Sequence, residues 1–238
     1  MKQFVTLWMM IFFVSLWGQH YRLTEISYLH NMGKLGEPEM EKELWEGSPF
    51  VFDKWYKGDI ITNDNKDLLV SKINYHARRH KFYYLVDKDY YELYPDKVKF
   101  VIIRTPKGDH IFVPALPHPV VTNYDGFYEV FTPDASQIYV IKIHHKKLQP
   151  ANRSQSYASD KSLEKMKYYD KSHLYVLVNN VYVKAPKSVN KLAKLLHLNA
   201  EQTKAFKKTI RQHKWNIRKG RDLQKIMEYY YTELKEEK

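Results

Sequence analysis

The sequence predicts an α+β protein: mainly an antiparallel β-sheet meander, a curled sheet or open barrel-like, with a C-terminal helical segment of two to three short helices. Three observations carry this. From Gly47 onward, short runs rich in Val, Ile, Tyr and Phe alternate with clusters of Asp, Asn, Gly and Pro, the strand-and-turn signal. No helical period separates these runs, so neighbouring strands pair through hairpins rather than crossovers. After Lys187 the apolar spacing becomes helical.

In chain order, Met1-Lys2-Gln3 carries one positive charge and Phe4 to Trp17 is apolar apart from Thr6 and Ser15. Gly18 ends the run. This reads as a secretory signal peptide over residues 1–18, too short for a spanning helix of about 20 residues. Residues 19–46 form an irregular N-terminal segment with mixed charge. The sheet region runs from 47 to 184. Strands are expected near 49–55, 59–62, 68–76, 80–86, 90–94, 97–104, 109–114, 126–131, 137–144, 174–178 and 181–184.

Alternation sets their faces. Val98, Phe100 and Ile102 share one side, and Phe127 and Phe131 share another with Glu129 between them. Thr132 to Ser136 makes a hairpin connection. Asn179-Asn180 suits a two-residue turn, because both residues tolerate positive φ. Residues 150–172 read as an exposed, mobile connection that contains the glycosylation sequon Asn152-Arg153-Ser154.

Residues 185–238 make the helical region. Ser188 caps a helix with Val189, Leu192, Ala193, Leu195 and Leu196 on its apolar face. Asn199 and Gln202 form a capping box for a second helix, striped by Thr203, Phe206 and Ile210. Gly220 interrupts the chain. Asp222 then caps a third helix carrying Leu223, Ile226, Met227, Tyr230 and Leu234.

The 238 residues are 44% hydrophobic and 28% charged, which excludes wholesale disorder. Cysteine is absent, which excludes disulfides, thiolate zinc sites and cysteine nucleophiles. The formal net charge is +12 and is locally concentrated, at His76 to Lys81, at Lys142 to Lys147, and from Lys204 to Arg221 with no acid between. Within the last run, Lys204, Lys207, Lys208, Arg211 and Lys214 recur at helical spacing on the side away from Phe206 and Ile210. They form a candidate contact for an anionic surface, either acidic polysaccharide or lipid headgroups. Export argues against nucleic acid as the main partner. An envelope protein is the other candidate partner, and no stretch beyond the leader is long enough to span a membrane.

Catalytic and cofactor signatures are missing: no G-x-S-x-G, S-x-x-K, H-E-x-x-H or G-x-G-x-x-G. No cofactor is expected. His76 and His80 would chelate at i, i+4 only on a helix, and their segment reads as strand and turn, where about four residues span roughly 13 Å. His144 and His145 are adjacent and point to opposite faces of a strand. Asp87 and Asp89 flank Lys88 in an expected turn, where Asp serves the backbone. The pairs Tyr83-Tyr84 and Tyr90-Tyr91, like the run Tyr229 to Tyr231, are expected to place one ring inward and its neighbour outward.

The order of several short motifs resembles a broad group of exported β-rich proteins of Bacteroidota. They are Gly47-Ser48-Pro49-Phe50-Val51, Trp55-Tyr56-Lys57-Gly58, Ile73-Asn74-Tyr75 followed by His76 in place of Asn, and Gly126-Phe127-Tyr128-Glu129-Val130. At the C-terminal end stands Asp222-Leu223-Gln224-Lys225-Ile226-Met227-Glu228-Tyr229-Tyr230. The resemblance spans roughly 47 to 231. It implies export, to the periplasm or beyond the cell, and a β-rich fold; it brings no activity and no catalytic residues. The expected function is a non-catalytic envelope binding or interaction module. The alternative is an enzyme acting on envelope carbohydrate or peptide without a recognisable motif.

Overall fold

A computed structural model describes residues 45–86, 89–115, 124–134, 137–150 and 166–235. The leader, nearly all of the N-terminal segment, Asp87-Lys88 and the sequon lie outside the described residues. The fold is the expected α+β one. Among the described residues, thirteen strands are followed by three helices, and ten of the strands form one antiparallel sheet.

That sheet is built from two hairpin runs. The first comprises β2 (Tyr56–Thr62), β3 (Asp67–His76), β4 (Lys81–Val86) and β5 (Asp89–Leu93). The second comprises β6 (Val98–Thr105), β7 (Gly108–Pro114), β8 (Phe127–Val130) and β9 (Val140–Ile143). β6 returns to pair with β2, so the runs join along that ladder. The hairpin of β12 (His173–Val178) and β13 (Val181–Lys184) then adds to β9. Asn179 and Asn180 both have positive φ, 50° and 63°, as their turn requires. The sheet is open, with β5 and β13 at its edges.

Four expectations need correction. Residues 49–55 are not a strand. They strap irregularly across β3: Val51 N–H donates to the Tyr75 carbonyl, Ala77 N–H donates to that of Pro49, and Asn74 Nδ2 donates to the carbonyls of Phe52 and Lys54. An isolated antiparallel bridge at Phe50–His76 starts a ladder, and beyond Val51 the Asn74 side chain takes its place. Tyr83 and Tyr84 are both fully buried, because the same strap covers the outer face of β4 and sets Phe50 edge-on against Tyr83.

The third correction lies in the 150–172 connection, which ends in a strand. β11 (Met166–Asp170) pairs antiparallel with β10 (Lys146–Pro150) and parallel with β1 (Trp45–Glu46). β10 and β11 bury no side chain completely, so their sequences carry no apolar alternation.

Two apolar clusters share one face of the large sheet. The first is aromatic: Tyr75, Phe82, Phe112 and Phe127 are buried, with ring centroids 4.8–5.4 Å apart for four of their pairs. The second joins Val140 and Val176 to α1 (Val189–Leu195), α2 (Ala200–Gln212) and α3 (Gly220–Tyr229). α3 runs on into a wider turn, Tyr230–Leu234. Buried Gln224 pins α3 to the sheet, accepting from the N–H groups of Tyr139 and Val140 and donating to the Gln137 carbonyl. Among the described residues no helix is long and apolar enough to cross a membrane.

The caps of α1 and α2 are the expected ones: Ser188 accepts from Lys191 N–H, and Asn199 and Gln202 form a reciprocal box. The α3 cap is not. Lys219 holds that position, while Asp222 accepts from Asn216 N–H and ties down the preceding loop. Replacing Asn199 by Ala should lower stability by about 1 kcal/mol, read from the urea midpoint, since the Gln202 N–H loses its acceptor.

Candidate functional site

Strand register gathers the polar residues. Glu129 on β8 lies opposite Phe112 on β7 and Lys142 on β9. Residues two apart share a face, so His110 and His144 point to the same side as Glu129 and Lys142. On that side Phe127 belongs to the aromatic cluster and Phe131 packs against the helical one. Glu129 stands in the seam between them and is 4% exposed.

Such burial demands partners for the carboxylate. The Nδ1–H of His110 donates to Oε1 at 2.6 Å, and the Nε2–H of His144 donates to Oε2 at 2.7 Å. The Lys142 ammonium stands 3.8 Å from Oε2. Burial opposes the charged form, yet the two imidazole donors and Lys142 outweigh it and hold Glu129 well below the usual carboxylate range. Burial pushes His144 down despite the adjacent carboxylate, so it donates as a neutral imidazole. The bonds fix both tautomers. In His110 the lone pair is left on Nε2, which has no hydrogen-bonding partner among the described residues.

The seam opens into a cleft of about 1050 Å³. Phe52, Tyr56 and Phe131 supply apolar wall, and the Phe52 ring meets His110 edge-on at 4.9 Å. The opposite wall is the chain entering α3. It is brought close by Gly220, where a Cβ would lie 1.9 Å from the Phe131 ring.

The lining is cationic. Lys107 comes from the β6–β7 turn, Lys142 from β9, Lys184 and Lys187 from the end of β13 onward, and Arg218, Lys219 and Arg221 from the start of α3. Asp53, Glu129, Asp170 and Asp222 oppose them. Three of these four are engaged: Glu129 with the histidines, Asp170 by Ser172 N–H, and Asp222 by Asn216 N–H.

No family model, curated protein or solved structure matches this chain. The chemistry of the cleft therefore rests on its own residues. None of Lys204, Lys207, Lys208, Arg211 and Lys214 lines it. They lie along α2 and the turn after it, four of them exposed and Lys207 half-buried, and form no ion pair with a described residue.

His76 and His80 do not converge. His76 Nδ1 accepts from Arg79 N–H, while His80 has a φ of 59° and stacks on His145. His144 and His145 do diverge as expected. Among the described residues no group of three His, Asp or Glu side chains is arranged to hold a metal ion.

Proposed function

We propose that this is an exported binding protein for an acidic polysaccharide, and that the ligand sits in the cleft rather than along α2. The observation that carries the reading is the lining: seven lysine and arginine side chains surround an aromatic wall, and three of the four carboxylates there are already engaged. Aromatic faces stack on sugar rings while cations take carboxylate or sulfate groups, and a concave basic surface concentrates the field on such a ligand. Export is supported by the charged-then-apolar leader and by the resemblance to exported β-rich proteins.

The test is retention on immobilised polygalacturonate. Wild type should bind at low salt and elute as salt rises, because added ions screen the contacts. Lys107→Glu/Lys184→Glu/Lys187→Glu should abolish retention. Lys207→Glu/Lys208→Glu/Arg211→Glu on α2 should leave it nearly unchanged. Loss with the α2 variant and retention of the cleft variant would move the site to the helix and overturn the reading.

A further inference from the structure

We propose that the cleft also cleaves its ligand: it is an elimination site for uronate-containing polysaccharide, with His110 as the base. The inference rests on the acidic-polysaccharide reading and extends it from binding to chemistry.

Its foundation is the carboxylate–imidazole pair. Glu129 fixes the His110 ring through Nδ1–H, so the lone pair on Nε2 is the one offered to the cleft. Nε2 is unpartnered within the described residues, and it is not sealed off: the unpartnered buried side-chain atoms there are His80 Nδ1 and the Tyr84 hydroxyl. A buried carboxylate behind an accessible imidazole orients the ring and stabilises the imidazolium that forms on proton uptake.

Two features narrow the reaction. No described hydroxyl donates to Nε2, so the imidazole activates no protein nucleophile. Both oxygens of Glu129 are occupied and the group is buried, which removes it as one of the two exposed carboxylates that glycoside hydrolysis uses. What remains is one free base, with the half-exposed ammonium of Lys142 on the other oxygen of the same carboxylate. A base beside a cation suits removal of a proton α to a carboxylate, since the cation stabilises the enolate that develops.

The step balances without a co-reactant. His110 Nε2 takes the proton from C5 of a uronate, and the electron pair of that C–H bond becomes the C4–C5 double bond. The C4–O glycosidic bond breaks, the departing oxygen takes a proton from solvent, and the imidazolium returns its own proton to solvent. Nothing is oxidised or reduced, and the products are a free sugar end and an unsaturated uronate.

The experiment incubates wild type and His110→Gln with polygalacturonate and with alginate. It follows ultraviolet absorbance of the conjugated alkene, new reducing ends, and retention on the same polymer immobilised. Wild type should produce alkene. His110→Gln should fall by roughly 100- to 10,000-fold while still being retained, as loss of a general base predicts. Retention of wild type without alkene would overturn the elimination and leave binding standing; absence of retention would remove both. Reducing ends without alkene would assign hydrolysis and overturn the proposal, as would equal rates for the variant. The wild-type measurement decides by itself, so a variant that fails to fold does not shelter the idea.

Discussion

Gly58→Ala is expected to lower stability by about 3 kcal/mol, the upper part of the usual range for overpacking a core. Gly58 is buried in β2, hydrogen-bonded to β3 on one side and β6 on the other. A Cβ there would stand 2.7 Å from the Ile102 carbonyl oxygen and 2.6 Å from Ile73 Cγ2. The first is backbone in a paired strand and the second belongs to a fully buried side chain, so neither can swing aside. The register of β2 against β3 shifts just before Gly58, the irregularity at which a glycine is commonly found. Denaturant unfolding of Gly58→Ala beside Lys57→Ala, an exposed neighbour, checks this. Equal midpoints would mean that the ladder opens at no cost.

Stability is also expected to fall by roughly 3 kcal/mol as the pH drops from about 6.5 toward 4. Burial first, and then the charge of Arg79, depress His76 to about 4. Its Nδ1 accepts the Arg79 N–H, so protonation also breaks a turn. The sign follows from comparing the two states. The unfolded imidazole takes its proton near 6.5 while the folded one does not, so acid favours unfolding until the folded group titrates as well. His80 and His144 are depressed too, and push the same way. Glu129, held low as a carboxylate, extends the loss below the ordinary carboxylate range. Urea midpoints at several pH values should show the decline. His76→Asn keeps an acceptor near the Nδ1 position without a titrating ring, and should make the decline shallower, leaving the part due to His80 and His144. An unchanged slope in that variant would take the effect away from His76.

The sheet and the helices were legible because each buries a face wide enough to impose its period. The α1 and α2 caps are local chemistry that four residues specify, whereas in β6 the core takes Val98, Val101 and Ile103 rather than the expected Val98, Phe100 and Ile102, and all four residues of β8 are buried. What failed was set by distant contacts. The strap at 49–55 has strand-like composition, but Asn74, 20 to 22 positions later, takes the carbonyls of Phe52 and Lys54. β11 is the central strand of a small sheet, its own side chains exposed or half-buried, and it needs no apolar stripe.

The site itself was half visible. A glutamate between Phe127 and Phe131 on one face must be buried, and a buried carboxylate needs donors. Nothing local says that those donors are His110 and His144, which reach it only through the register of three strands. The lysine-rich α2 drew the eye because its charges are contiguous, whereas the cleft gathers its cations from four separate segments.

The ladder between β2 and β6 carries a kinetic consequence. Within each hairpin run, every pairing joins strands that follow one another and can zip soon after collapse. β2 and β6 meet only once the whole of β3, β4 and β5 has been looped out. Closing that loop costs about 3 kcal/mol of chain entropy before its contacts give anything back. Relaxation after dilution from denaturant should therefore wait on this join and on the similar one between β9 and β12, which loops out β10 and β11. Gly58 and the Asp59–Arg104 ion pair lie on the β2–β6 join, so substitutions there should slow refolding, whereas changes at the β12–β13 turn should mainly hasten unfolding.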